Sequence, residues 1–367
     1  MSLPIEKYIN HMLELGGFDL LLCSGFPPAA KLGSNQIEVL PYDEVVSDDV
    51  IELLEDILLP HDADILEKTN SVDFAYELFD EQGLPTRRFR CNAYLQRNGM
   101  SVVFRAIPSE PPTIEDLSLP TVVKKITQAR NGLVLITGPT GAGKSSTLAA
   151  MARYINENRK VHLITIEDPI EYIHRNINAM VVQRQVGVHV ESFQRALLSA
   201  LREDPDVIIV GELREPETIQ LAMTAAETGH LVMATLHTIS ASHTITRIIN
   251  SFPSHQQSQI RVQLADSLRA VVSQQLVTRL DGYGSVPAVE ILLQNEAVSN
   301  VIRENKIHQL PGLIEIGRQW EMNLMDDSLL GWVRAGVIDP GEALAKSHNQ
   351  IEFTKRMEEW QRSKGVL

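Results

Sequence analysis

With 367 residues, 47 acidic against 33 basic side chains and a formal charge of −14, the chain exceeds one ordinary domain of about 100–200 residues and implies two buried cores. That charge disfavours wrapping a phosphate backbone, which excludes nucleic acid as a main partner short of a strongly segregated basic face. Cys23 and Cys91 stand far apart with no C-x-x-C pair, which excludes a disulfide framework and a four-cysteine zinc site and fits a reducing cytoplasm.

Residues 4–15 place Ile5, Ile9, Met12 and Leu13 at helical spacing and stop at Gly16-Gly17, after which Asp19-Leu-Leu-Leu-Cys23 reads as a strand. Gly25-Phe-Pro-Pro28 makes a turn, residues 50–59 suggest a helix, and Phe89–Tyr94 and Ser101–Ile107 suggest two strands joined near Asn98-Gly99. These predict an α+β domain over residues 1–107. The stretch Pro108-Ser-Glu-Pro-Pro-Thr113 carries three prolines in six residues, which disfavours helix and central strand and predicts a linker over 108–118.

From 119 to 367 the pattern is α/β. The runs Leu133–Thr137, Val161–Ile166, Val207–Val210 and Leu231–Thr235 are apolar on both faces and separated by helical stretches, as buried parallel strands require. A ligand of such a sheet sits at the strands' carboxyl ends. After about residue 254 the chain reads as helical, with Gln259–Val272 as one long amphipathic segment. No apolar run reaches the ~18 residues of a membrane span. Met1-Ser-Leu-Pro-Ile-Glu-Lys7 lacks the apolar core of a signal peptide, so the expectation is a cytoplasmic protein that reaches a membrane only through a partner.

The chemistry concentrates at Gly138-Pro-Thr-Gly-Ala-Gly-Lys-Ser145, between the run Gly132–Thr137 and the helix-forming stretch that Ser146 opens. A triphosphate needs many donors at short range, so the backbone must come close. Gly138, Gly141 and Gly143 permit that, with Pro139, Thr140 and Ala142 between them. Loop N–H groups and the following helix N-terminus face the phosphates, Lys144 adds a full charge, and Ser145 offers a hydroxyl to Mg²⁺. The competing reading, a Gly-rich turn with a surface lysine, does not account for the strand-loop-helix setting.

Two more strand ends carry acids: Glu167-Asp168 before Pro169, and Glu212 after Gly211. Either can hold Mg²⁺, Glu212 directly or through water, or orient the attacking water, and the residues alone do not divide those jobs. Each, taken alone, also fits a surface acid capping a helix. His230, after Gly229, and His237 bracket a strand. They read either as a helix-cap cation and a satisfied polar residue or as sensors of the γ-phosphate, and no third ligand is spaced to make them a metal site. Arg88, Arg90, Arg97 and Arg105 on or beside two strands read as a solvated face or, in a ring, as arginine fingers for a neighbour.

Taken in order, the phosphate loop, the acidic box Thr165-Ile-Glu-Asp-Pro-Ile-Glu171, the atypical Walker B run ending at Glu212, the histidine box Ala226–His230 to Leu236-His237-Thr238 and the arginine strands resemble those of type IV pilus retraction ATPases. This is the twitching-motility, PilT-like branch of the secretion ATPase superfamily, and the likeness runs over roughly residues 5–310. The resemblance implies a PAS-like N-terminal α+β domain, then a RecA-like P-loop ATPase domain with a helical C-terminal region. It implies Mg-dependent ATP hydrolysis, with ATP and Mg²⁺ as cofactors, and catalytic roles for Glu167, Glu212, Arg90, Arg97, Arg105 and His230, with His237 at the nucleotide. It further implies a cytoplasmic homo-hexameric ring at the inner face of the cytoplasmic membrane, at the pilus base, that drives pilin disassembly. An inner-membrane platform protein and the pilus machinery are the implied partners.

The chain departs from the family at Phe18 and Leu21, where Ser and His are usual, and in Ala297-Val-Ser-Asn-Val-Ile-Arg-Glu304, where Ser299 replaces an arginine of the retraction signature. Residues 336–367 match no motif. These departures make an accessory retraction ATPase the close alternative. An extension or type II secretion ATPase commonly carries a longer N-terminal region and a four-cysteine zinc insert, which two cysteines cannot build. A non-hydrolysing nucleotide-dependent scaffold would have no use for both Glu167 and Glu212.

Overall fold

The computed structural model describes residues 4–32, 36–79, 85–107 and 110–363. Pro108 and Ser109 of the proline-rich stretch, Met1–Leu3 and the last four residues of the tail lie outside that range. The chain forms two compact units, each with its own sheet.

The first unit contains the chain up to Glu110 together with Asp168–Ile173 and Gln185–His189. Its helices are α1 (Glu6–Glu14), α2 (Ser47–Glu55) and α3 (Pro60–Thr69), and its strands are β1 (Asp19–Cys23), β2 (Ala29–Lys31), β3 (Ile37–Val39), β4 (Ser71–Phe79), β5 (Pro85–Gln96) and β6 (Gly99–Ile107). They pair antiparallel in the order β3-β2-β1-β6-β5-β4. Ile5, Ile9 and Met12 bury one face of the first helix against this sheet, whose core holds Phe74, Phe89 and Phe104. The helix expected over 50–59 is α2, which begins three residues earlier and ends at Glu55, and a separate helix, α3, follows from Pro60. Asp49 accepts the Val46 N–H at 3.0 Å and starts α2 early, and Pro60 opens α3 at a position where its missing N–H costs nothing.

The second unit comprises Pro111–Glu167, His174–Arg184 and Val190–Leu367. Its strands are β7 (Gly132–Thr137), β8 (His162–Glu167), β9 (Met180–Gln185), β10 (Val207–Val210), β11 (Leu231–Leu236), β12 (Leu268–Thr278) and β13 (Ser285–Leu293), in the order β13-β12-β7-β11-β10-β8-β9. Its helices are α4 (Val122–Thr127), α5 (Lys144–Asn158), α6 (Phe193–Ala200), α7 (Pro216–Glu227), α8 (Ala241–Asn250), α9 (Gln257–Ser267), α10 (Glu296–Arg303), α11 (Leu310–Ile316), α12 (Met325–Arg334), α13 (Pro340–Lys346) and α14 (Gln350–Ser363). The four strands read from sequence form the parallel centre, buried on both faces.

The long helix expected over Gln259–Val272 is corrected: α9 ends at Ser267 and Leu268 enters β12. Residues Ala270–Ser273 pair in parallel with Val134–Thr137, and Ala270–Thr278 pair antiparallel with β13. Helical spacing from Ile260 to Leu264 hid the change of period, and long-range pairing then outweighed local preference over the β-branched Val271 and Val272.

The part of the tail without a motif contributes to a core. Its Ile338, Ala343 and Phe353 join Met325, Leu329, Leu330 and Val333 of α12 against Val277, Val286 and Ala288 of the β12–β13 hairpin. Buried Glu290 of β13 pairs with His348 at 3.6 Å. Its hydrogen bond raises the His348 pKa against the opposing effect of burial, and Asp326 adds to the rise. A raised folded-state value gives stability that is fully present below the unfolded pKa near 6.5 and lost as pH rises through the folded value. Thermal denaturation from about pH 6 upward should therefore show wild-type Tm falling by a few degrees more than that of His348→Gln. Parallel pH profiles would mean that the pair contributes nothing.

Candidate nucleotide-binding and hydrolysis site

Strands β7, β11, β10 and β8 lie side by side, and each delivers a site residue at its carboxyl end: the 138–145 loop, His237, Glu212 and Glu167. The loop's geometry follows from its glycines at two points. Gly143 takes φ +82° as it enters α5, and a Cβ on Gly138 would lie 2.2 Å from the Gln274 carbonyl oxygen. Pro139, Thr140, Gly141 and Ser145 are exposed, Ala142 is buried, and Ser146 is half-buried. The first turn of α5 points its N–H groups into the loop, with the partial positive charge of a helix start.

Lys144 is buried, and its Nζ donates to the Gly138 and Pro139 carbonyls at 2.9 Å each. Nζ also lies 3.3 Å from His237 Nδ1. An ammonium only donates, so Nδ1 accepts and the ring proton sits on Nε2, which faces Glu212 Oε1 at 3.2 Å. Glu212 Oε2 accepts from Arg214 Nη2 at 2.8 Å. The four side chains thus form one line from the loop to the end of β10. Burial pushes the Lys144 ammonium down, partly offset by Glu212. Burial also acts to raise the Glu212 carboxyl, but Arg214 and His237 outweigh it and hold it below the usual carboxylate range. Glu167, one strand further, accepts from Thr165 Oγ1 at 2.6 Å and Gln183 Nε2 at 3.1 Å.

Beneath the loop, Gln274 of β12 donates to the Ala142 carbonyl and accepts from Thr147 Oγ1 at 2.8 Å. Thr137 Oγ1 pairs with Ser273 Oγ at 2.8 Å and receives Thr244 Oγ1 at 3.5 Å, while Thr244 Oγ1 lies 2.7 Å from Thr238 Oγ1. These braces were missed by sequence reasoning, because β12 read as helix and single polar residues in apolar strands carry no pattern. A cavity of about 630 Å³ opens beside the loop, lined among others by Asp116, Gly143, Thr147, Gln274, Arg279 and Tyr283.

Not every expected residue joins this site. His230 stands at the amino end of β11, where its carbonyl accepts the Gly132 N–H and its Nδ1 lies 2.9 Å from the Ala225 carbonyl oxygen. A strand of this length separates it from His237 by about 20 Å, so within one chain it is no part of the phosphate site. The arginines belong to the first unit. Arg90 of β5 faces Arg105 of β6 across the ladder, Arg105 grips Asp19 with two bonds of 2.8 and 2.9 Å, and Arg90 lies 3.6 Å from Glu171. Arg88 donates to the Ile170 carbonyl at 2.8 Å and to Gln185 Oε1 at 3.2 Å. Arg97 is exposed in the β5–β6 turn, away from the others. The acidic box is therefore split: Glu167 ends β8 in the second unit, and Asp168–Glu171 pack with the arginine strands in the first.

A family model described as type II/IV secretion system protein matches residues 85–319. The chain belongs to that family. A twitching motility protein of Neisseria gonorrhoeae is 46% identical over 306 residues, 83% of this chain and 80% of that protein. The type IV pilus retraction ATPase PilT of Pseudomonas aeruginosa is 42% identical over 347 residues, 94% of this chain and 98% of that protein. The crystal structure of the pilus retraction motor PilT with bound ADP superposes with a TM-score of 0.87 at 39% identity, covering 96% of this chain and 99% of that one. Within the secretion family the chain falls in the PilT-like branch, with an N-terminal domain followed by a RecA-like ATPase domain that has a helical C-terminal region.

The departure at Ser299 has a structural basis in this member of the family. Ser299 is 3% exposed on α10, donates to the Ala265 carbonyl at 2.9 Å and accepts from Gln294 Nε2 at 3.2 Å. The serine fills a polar slot between α9 and α10, while Arg303 of the same helix pairs with Asp266. For the loop brace, Gln274→Leu leaves the Ala142 carbonyl and the Thr147 hydroxyl without their partner and should cost about 1–3 kcal/mol. Denaturant unfolding reads this directly, and an unchanged midpoint would show that the brace is dispensable.

Proposed function

We propose that this chain is the ATP-hydrolysing subunit of a homo-hexameric motor that powers type IV pilus retraction. The observation that carries the reading is the line Lys144–His237–Glu212, which joins the phosphate loop to the end of β10. The retraction activity is supported by the PilT relatives and by the ADP in the similar structure.

In this reading the loop N–H groups and the start of α5 cradle the β- and γ-phosphates, and Lys144 exchanges its loop carbonyls for phosphate oxygens. Glu212, kept ionised by Arg214 and His237, orients the attacking water, and His237 reports the γ-phosphate to it. Among the described residues no group of three or more His, Cys, Asp and Glu could hold a metal. That suits Mg²⁺, which keeps phosphate oxygens and waters and takes only one or two protein ligands. The exposed Ser145 hydroxyl, with Glu212 acting through water, fits that demand, and the bound ion would neutralise charge developing on the phosphate oxygens. Glu167 serves from the neighbouring strand end.

Arg90 and Arg97, both exposed, are the fingers proposed to reach a neighbouring subunit's phosphate, and Arg105 is the weaker candidate because Asp19 already holds it. His230, remote from its own chain's phosphates, is proposed to act at a subunit boundary. Among the described residues no helix is long and apolar enough to cross a membrane. The proposed location is accordingly the cytoplasmic face at the pilus base, reached through a platform protein of the inner membrane.

Lys144→Ala should abolish tight nucleotide binding, whereas Glu212→Gln should bind nucleotide and slow Mg-dependent turnover at least about 100-fold. Nucleotide titration and single-turnover kinetics separate the two, and equal loss of binding in both variants would contradict the assigned roles. In cells lacking the gene, labelled pili should extend and fail to retract, and normal retraction would refute the motor assignment.

A further inference from the structure

Glu290 is a buried acid for which the phosphate chemistry has no use. It lies on β13, 5% exposed, where an ionised carboxylate is costly unless well paired. Oε1 accepts the Ala241 N–H, the first of α8, at 2.8 Å, and Oε2 lies 3.6 Å from His348 Nδ1. His348 stands between α13 and α14, where Asp326 accepts the backbone N–H groups of His348 and Asn349 at 2.7 and 3.1 Å.

The helix that Glu290 holds begins directly after the His237 segment. Ser240 caps it by accepting the His243 N–H at 3.2 Å, and Glu290 takes the Ala241 N–H, another of the donors that a helix start leaves without a backbone partner. In the same turn the Thr244 hydroxyl donates to the Ser240 carbonyl at 2.7 Å, lies 2.7 Å from Thr238 Oγ1 in the His237 segment and approaches Thr137 Oγ1 at the end of β7 to 3.5 Å. The start of α8 is thus tied on one side to Thr238, next to His237, and on the other to Glu290. His237 stands four residues before Ala241.

We propose that Glu290 is a positioning residue for hydrolysis: it fixes the first turn of α8, which keeps His237 between Lys144 and Glu212, and His348 makes that hold depend on the docked C-terminal helices. The assignment rests on the reading of His237 and Glu212 as parts of an ATP-hydrolysing site. A charge that served stability alone would lower folding and activity together. A positioning residue acts through His237, so its effect vanishes when the imidazole is gone.

The test uses the full chain under conditions that permit assembly. Mg-dependent ATPase activity and ADP affinity are measured for wild type, Glu290→Met, Glu290→Gln, His237→Ala and the Glu290→Met/His237→Ala double variant. Glu290→Met should lower kcat about tenfold or more with ADP affinity changed by less than about threefold, and Glu290→Gln, which restores an acceptor for Ala241, should return to within about threefold of wild type. In the His237→Ala background the methionine should change nothing further. His348→Ala should lower kcat in the same direction, and an unchanged rate would remove the C-terminal helices from the assignment.

Multiplicative losses in the double variant, or kcat and affinity falling together with the folded fraction, would overturn the proposal. If Glu290→Met does not fold, Ala241→Pro cuts the same bond from the donor side. Proline suits the first helical position, and Ser240 before it is already extended; the same outcomes then decide. A wild type without Mg-dependent ATPase activity would sink the underlying reading, whereas an active wild type with an equally active Glu290→Met overturns this inference alone.

Discussion

Parallel pairing of four buried strands sets the height at which every phosphate-site residue can act. Thr137 lies opposite Leu236, and Val210 lies opposite both Ala234 and Ile166. The residues that follow these positions emerge along a single edge, the loop from β7, His237 from β11, Glu212 from β10 and Glu167 at the end of β8. A slip of one residue would turn every side chain of the strand to the opposite buried face, against the wrong neighbours, and also move one of these groups out of line. The apolar runs that build the core therefore also align the chemistry.

Along that edge, Lys144 and Glu212 are each held by polar partners. Burial disfavours the Lys144 ammonium and pushes its pKa down, and two carbonyls and an imidazole surround it. Glu212 faces the converse problem and is kept ionised by Arg214 and His237 despite its own burial. The line is supported from below by Gln274 and the hydroxyls of Thr137, Ser273 and Thr244, all buried and all bonded. The C-terminal helices pack on the hairpin that supplies Gln274, so a tail without a recognisable motif still contributes to the setting of the site.

The first unit handles its charges differently. Arg90 and Arg105 face each other across neighbouring strands, an arrangement that like charges resist. Asp19 and Glu171 lie beside them and relieve it. Glu171 comes from the same acidic box as Glu167, so one seven-residue stretch divides between an acid at the end of β8 and an acid beside the arginines of another sheet.

The phosphate loop, the strand ends and the alternation of strand and helix were legible in the linear chain, because each is dictated by contiguous residues: glycines where backbone must approach a ligand, a lysine and serine at a helix start, apolar runs bounded by polar turns. The same locality explains why α1 and β1 were read within a residue or two while α9 was drawn through β12. Tertiary structure alone decided that Val271 and Val272 pair as strand, that Gln274 braces the loop 132 residues before it, that Ser299 faces Ala265, and that Glu290 reaches Ala241. Hydrogen bonds of that kind join single polar side chains far apart in sequence. They leave no period to read, and only the packed core brings their partners within 3 Å or so of each other.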